Sequence, residues 1–549
     1  MFDVKQKAAA PVQAARVVGN AFIAQGKKMG AQVLSQNGAK KFNTSGDPLV
    51  DQLKSCGSYI APRKFKDVAT DMSILWAHNA TQAVQFTGYL RAVQRNTVHE
   101  GKTVGMVNGE GLKNEAILRM IWLAVNHPET FNKNLKAFIA LGSWKDVFTM
   151  LVTDLSYNGW DGRVLNWQVI ISTILDGLQD DGQTNLIRKY LPSIKAKSKC
   201  TTIEAQAKNL IAKYICSALF GVKEDPTGKT YKQYRQLKAA GTAHQWQQLI
   251  SQGKFQEIDF DKIHGKALSI LVKSKTFLKG TGLSDKFSEF ISSKVKSGQS
   301  VKTTDFVFDV LAPLQGGRQP NPEIRDLVIA QFEALKNKCE ENPFPWIVVR
   351  DTSGSMGCMA TGLTVTANHV AKSLALLFSE FLIGTFQNSW IEFNHSAILH
   401  EWQGSNVVEK YLNDRTSCIS STDYQKVIDL FINLKNQGVP ESHFPKGIIC
   451  ISDGEFNRAG ITTTNFDVAK NKLIAFFSEE FVEEFKFVFW DVASPANQTK
   501  KFETYGPTRN VYYFGGFSPA VIKFVNSADD AVVAASNCLD QPIIRDMEV

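Results

Sequence analysis

The chain has 549 residues, too many for one hydrophobic core, so two or three domains are expected. Its 44% hydrophobic and 21% charged residues are those of an ordinary globular protein. No run approaches the ~18 uninterrupted apolar residues that would suggest a membrane span. Eight cysteines stand singly with no C-x-x-C pair, which indicates neither a zinc site nor a disulfide framework. Free thiols in a reducing compartment and a start without the layout of a secretory signal suggest a cytoplasmic protein; a virus-encoded chain would look the same.

The formal net charge of +9 hides a division. Through Gly317 there are 42 Lys and Arg against 25 Asp and Glu, and beyond it 20 against 28. A basic half joined to an acidic one suggests that the first half meets a polyanion, nucleic acid being the commonest. The bland readings are a solvated lysine surface, or halves that attract each other.

In chain order, residues 1–46 are rich in Ala, Gln, Lys and Gly with weak periodicity and read as a flexible arm. From 47 to 317 the pattern is helical throughout. Asp47-Pro48 reads as a helix cap and first-turn proline, and Ser143-Trp144-Lys145-Asp146 as a variant capping box. Pro128, Pro192 and Pro226 mark further boundaries. Helix density of this kind suggests an α-solenoid or ring, although no clean repeat is visible. Residues 318–342 read as a linker helix. From 343 to 549, apolar strands alternate with helices, as in a parallel sheet covered on both faces.

Within that last segment the buried run Trp346-Ile347-Val348-Val349 leads into Asp351-Thr352-Ser353-Gly354-Ser355. A strand ending in D-x-S-x-S delivers a charge and two hydroxyls to one point, with Gly354 permitting a tight turn. Thr422 precedes the helical pattern of Val427, Ile428, Leu430 and Phe431. A second apolar strand, Gly447 to Ile451, ends in Ser452-Asp453-Gly454-Glu455. Hard oxygen donors with few carboxylates suit Mg²⁺, with Mn²⁺ or Ca²⁺ as alternatives. Acidic, Ser and Gly residues after a strand are also ordinary turn chemistry.

These residues resemble a von Willebrand factor A domain with its metal-ion-dependent adhesion site. The resemblance implies an α/β doubly wound, Rossmann-like fold. It also implies Asp351, Ser353, Ser355, Thr422 and Asp453 as metal ligands, some through water, with an acidic group of a protein partner completing the shell. The helical half carries Lys113 to Arg119, His127-Pro128-Glu129, Leu141 to Val147, Arg188 to Ser193, Tyr231 to Arg235 and Gly253 to Phe260. In that order they resemble the TROVE module of the Ro autoantigen family, or an uncharacterised sister family. That family joins an all-α ring of HEAT-like repeats to an A domain. Membership implies binding of structured small RNAs on a basic outer surface and of single-stranded RNA ends in the ring.

Lys189, Lys195, Lys197 and Lys199 cluster around Pro192, and Lys232, Arg235 and Lys238 recur at helical spacing. They are the candidate RNA contacts, each weighed against a solvated helix face. Trp144 and Tyr234 are candidates for base stacking, with core packing the better reading for Trp144, and His264 reads as structural. No P-loop, nucleophile elbow or H-E-x-x-H motif occurs, so no enzyme is expected. The leading reading is an RNA-binding scaffold whose A domain recruits a partner through a metal, without a membrane. The alternative is a protein-interaction or assembly component, such as one of a viral particle, without an RNA role. A chelatase-type subunit would need an ATPase that this chain lacks.

Overall fold

The computed structural model describes residues 32–549 except 36, 57–62, 94, 157–164, 181–183, 223–227, 241–244, 275, 305, 340–344, 361–364, 420, 493–501, 519–522 and 527. Residues 1–31 of the expected arm and the boundary at Pro226 lie outside the described residues.

Strands β1 (Gln32–Leu34) and β2 (Lys40–Phe42) form a short antiparallel hairpin. Residues 32–35 and 37–46, expected to belong to a flexible arm, are instead held by the stretch between Gly454 and Gly506. The hairpin turn bridges Gly38 to Asn457, and β2 bridges Lys40 to Thr464 and Phe42 to Phe502. Helix Pro48–Cys56 begins as its sequence indicates, with Asp47 Oδ1 accepting from the amides of Leu49 and Val50 at 2.9 Å each. Helices then follow one another to Ala239. They are interrupted by a second hairpin, β3 (Arg95–His99) and β4 (Lys102–Val107), where the periodicity reads as helix throughout. At Ser143 half of the capping box forms, the Ser143 amide donating to Asp146 Oδ2 at 2.9 Å.

From 347 onward the chain builds one six-stranded sheet from β5 (Ile347–Asp351), β6 (Ser389–Phe393), β7 (Ala397–Glu401), β8 (Gly447–Ser452), β9 (Lys486–Asp491) and β10 (Val511–Gly515), in the order β10-β9-β8-β5-β6-β7. All neighbours are parallel except β6 and β7. Every residue of β5, β6, β8 and β10 is buried, the pattern of strands covered on both faces. The strand order changes direction between β5 and β8, and the crevice at the carboxyl ends of these two strands is where ligands bind in such sheets.

One apolar core runs from the first helices through the sheet. Helix Pro48–Cys56 lies directly on β10: a Cβ at Gly515 would stand 1.7 Å from the Lys54 carbonyl oxygen, so only glycine admits the contact. A second core, around Phe260, Phe287 and Ile291, belongs to the later helices. Helix Pro322–Cys339 joins the two, giving Val328, Phe332 and Leu335 to the first core and Leu327 and Ala330 to the second. The helical half therefore begins and ends on the same α/β body.

The C-terminal tail strengthens that closure. Gln541 accepts from the Asn108 amide at 2.9 Å and donates to its carbonyl at 3.1 Å. Asn134 donates to the Glu548 carbonyl at 2.6 Å, and Met547 is buried against Gly88. No helix among the described residues is long and apolar enough to cross a membrane.

Two buried polar groups at these junctions make testable demands. Lys41 and Glu503 pair at 2.8 Å with 2% of each side chain exposed. Removing one partner strands the other charge, so Lys41→Ala should destabilise by about 3–5 kcal/mol in urea denaturation. Lys41→Met with Glu503→Leu should recover most of that loss. Glu110 accepts from the Tyr89 hydroxyl at 3.0 Å, and burial pushes its carboxyl up to about 8. The folded chain thus keeps a proton that the unfolded chain releases near the ordinary glutamate value of 4.5. This contribution is intact below that value and is lost as pH rises towards 8. Glu110→Gln should flatten the fall in Tm between pH 5 and 8.

Candidate metal centre and nucleic-acid interface

β5 ends at Asp351, where the chain turns sharply into the 3-10 turn Gly354–Gly357. The Ser353 amide donates back to Asp351 Oδ1 at 2.8 Å, and the Ser452 hydroxyl, at the end of β8, donates to Asp351 Oδ2 at 2.6 Å. Both hydrogen bonds aim the carboxylate across the gap between β5 and β8. The Ser353 and Ser355 hydroxyl oxygens lie 3.1 Å apart, and Ser355 hydrogen-bonds Asp453. Thr422 is buried in the loop before helix Gln425–Asn436. That loop is tied to the β8 loop, Asn457 donating to the Thr422 carbonyl at 2.7 Å.

Asp351 is fully buried, and burial together with the charge of Asp453 pushes its carboxyl up to about 7. Burial likewise raises Asp453, against the Ser355 hydrogen bond and the Lys41 cation. Two like charges held together out of water, with hydroxyls converging on them, are a donor set that a hard divalent cation would satisfy. The residues fit such an ion: Asp351, Ser353, Ser355 and Asp453 are brought to one place, and Thr422 stands on the loop stitched beside them. The carboxylate count is low, since no group of three or more His, Cys, Asp or Glu side chains with metal-site geometry occurs among the described residues.

Several supporting residues escaped the sequence reading. Ser452 orients Asp351. Lys41 donates to the Gly454 carbonyl at 2.6 Å from a hairpin more than four hundred residues away. Arg350 is fully buried, pairs with Asp414 at 2.7 Å and lies 4.2 Å over the Trp390 ring. Burial works against the charged form of Asp414, but Arg350 and Lys372 outweigh it and hold the carboxyl well below its usual range. This ion cluster anchors the segment leading to Thr422. A strand arginine beside a D-x-S-x-S motif was the available signal.

The basic candidates divide. Lys195, Lys199, Lys232 and Arg235 are exposed, on the segment after helix Thr184–Tyr190 and on the neighbouring helix Lys229–Ala239. Lys197 opens the 3-10 turn Lys197–Lys199. Lys238 is tied inward, its ammonium donating to the Leu191 carbonyl. Tyr234 is fully buried and donates to the Pro192 carbonyl at 3.0 Å, so it pins its helix to the segment after Tyr190 and is not a stacking platform. Trp144 packs in the core. Lys189 is half-buried over the Tyr190 ring.

Residues 346–539 match the model of a domain-of-unknown-function family, DUF7788. An uncharacterized protein, L728, of Acanthamoeba polyphaga mimivirus is 22% identical over 524 residues, covering 90% of this chain and 85% of its own. Among solved structures, the Ro (RSR) protein of Deinococcus radiodurans aligns with 90% of this chain and 99% of its own. That alignment has 12% identity and a TM-score of 0.38, and it transfers no residue role.

Cation binding at Asp351 should register as stability. Millimolar Mg²⁺ should raise the Tm of the wild-type chain, the linkage reaching about 2.7 kcal/mol at a hundredfold excess over Kd. Asp351→Asn should abolish the Mg²⁺-dependent shift while leaving the chain folded, as differential scanning calorimetry would report.

Proposed function

We propose that the chain is an RNA-binding scaffold, its basic helical half holding RNA and its α/β body recruiting an acidic protein partner through a divalent cation, most simply Mg²⁺. The observation that carries the RNA reading is the exposure of Lys195, Lys199, Lys232 and Arg235 on adjoining elements of a half that holds 42 basic against 25 acidic residues. Phosphate contacts from such residues supply affinity with little sequence readout. The resemblance to the Ro family points the same way, with structured small RNAs and single-stranded ends as the ligands.

The metal serves adhesion in this reading. No P-loop, nucleophile elbow or H-E-x-x-H motif accompanies Asp351 and Asp453, and hydrolysis by a metal-bound water generally needs a positioned base or a second metal. We therefore read the chain as non-catalytic. The viral relative, which matches nearly the whole chain, favours the second reading of an assembly component whose cation site docks another protein.

The two readings part in one experiment. A labelled structured RNA with a single-stranded 3′ end should bind with a log K that falls linearly with log salt, by about 0.7 per phosphate contacted for single strands. EDTA should leave that binding unchanged. Replacing Lys195, Lys199, Lys232 and Arg235 together by Gln should weaken it at least about tenfold and flatten the salt slope. Binding no tighter than to an acidic control polymer would overturn the RNA reading in favour of the assembly component.

A further inference from the structure

A cleft of about 830 Å³ opens in the helical half, and none of its lining residues belongs to the cation site or to the exposed basic surface. Its walls are helices Pro128–Leu141, Trp167–Gln179 and Thr184–Tyr190 with the start of Trp144–Ser156, and its rim is β3 with the turn that follows. Six consecutive residues, Asn96 to Gly101, line it, while none of Lys102–Val107 does. The cleft therefore runs along the side of β3 that faces away from β4. Among the described residues β3 pairs with no strand other than β4.

The main chain is open on that side. Glu100 and Gly101 have φ of 48° and 78°, the left-handed pair of a two-residue hairpin turn closed by His99 and Lys102. In an antiparallel ladder such a closing pair exchanges both of its hydrogen bonds, and the next pair, here Val98 with Thr103, exchanges none. Val98 thus turns its amide and carbonyl away from β4, towards the cleft. An open strand edge is a template on which another extended chain adds.

The side chains around this edge define what would add. The Trp144 ring is laid against Gly177, where a Cβ would stand 2.7 Å from it, and Ile139 lines the same cleft. Val98 and Leu186 also line it, and they are 57% and 50% exposed. The charge is the reverse of the surrounding half: Glu100, Asp176 and Asp180 face the cleft against one lysine, Lys136. Asp176 and Asp180 stand one turn apart at the carboxyl end of Trp167–Gln179, whose last turn holds no basic residue, so the negative helix end adds to them. A phosphate backbone is repelled there, and a lysine or arginine side chain is attracted.

We infer that this cleft binds an extended segment of a partner protein, in which lysine or arginine alternates with aliphatic residues, by adding it to β3 as a further strand. Main-chain hydrogen bonds to Val98 set its register, its aliphatic side chains cover Val98, Leu186 and the Trp144 ring, and its cations meet Asp176 and Asp180. The site requires neither the RNA nor the divalent cation of the proposed function.

The test uses the full chain, fluorescently labelled, on an array of seven-residue peptides in which Lys or Arg alternates with Val, Leu or Ile. The tightest peptide is then measured in solution by anisotropy, beside a form N-methylated at alternate residues, which keeps the charge but loses main-chain donors. Binding should occur and weaken with salt. Asp176→Asn with Asp180→Asn, at exposed positions, should weaken it at least about tenfold. Glu479→Gln with Glu480→Gln, exposed acids of the α/β body, should match wild type. N-methylation should also cost at least about tenfold through the lost main-chain hydrogen bonds. An array with no bound peptide, or an aspartate variant that binds as wild type does, would overturn the site. Undiminished binding of the N-methylated peptide, displaced by spermidine, would overturn strand addition in favour of a cleft for small cations.

Discussion

Two carboxylates held together out of water at the end of a parallel sheet are the constraint around which the α/β body is arranged. Asp351 and Asp453 would each be costly in a buried position, and each raises the cost of the other. The surroundings answer with donors: the Ser353 amide and Ser452 hydroxyl on Asp351, the Ser355 hydroxyl and the Glu455 amide on Asp453. Lys41 adds a full positive charge at the neighbouring Gly454 carbonyl. None of these groups neutralises both acids, which is the electrostatic condition under which a divalent cation binds and stabilises a folded chain.

The same constraint accounts for long-range features that have no local cause. A hairpin at residues 32–42 reaches the β8 loop, bridging Asn457 and Thr464 and burying Lys41 against Glu503. Buried ion pairs add little net stability compared with apolar residues of the same size, but they are intolerant of partial removal. Lys41 therefore acts on register, fixing where the hairpin sits and hence where the β8 loop presents Asp453. On the other side, Arg350 and Asp414 do the same for the segment that leads to Thr422, with the guanidinium stacked on Trp390.

How much of this was legible follows from the range of the interactions. The strands of the α/β body are continuous apolar runs bounded by turn residues, and β5, β8 and β10 stand where those runs lie. The cap at Asp47 and the half-formed box at Ser143 depend on neighbours within a few residues, so they too are readable. The hairpin of β3 and β4 was not. Arg95–His99 and Lys102–Val107 are short, and their alternation is weak beside the helical pattern on either side. The ordering of residues 32–46 was invisible for a different reason: its partners are more than four hundred residues away. Tyr234 illustrates a third limit, since its spacing on Lys229–Ala239 matches an exposed basic stripe while its ring points the other way, into the core.

The division of charge along the chain now has a structural meaning. The basic helical half and the more acidic remainder share one apolar core, and the hairpin Gln32–Phe42 and the C-terminal tail cross between them, so attraction between halves is not needed to hold them together. Surface charge that is not required for cohesion remains available for ligands. The candidate cation site and the exposed basic surface also sit on different elements, the first on the loops after β5 and β8 and the other on the segment of Lys195 and Lys199 and helix Lys229–Ala239. Coupling between two such sites requires an element with two arrangements that both ligands bias. Helix Pro322–Cys339 is packed into both cores and links the two halves, and under the proposed function a cation at Asp351 and a polyanion on the helical half would act as independent ligands of one scaffold.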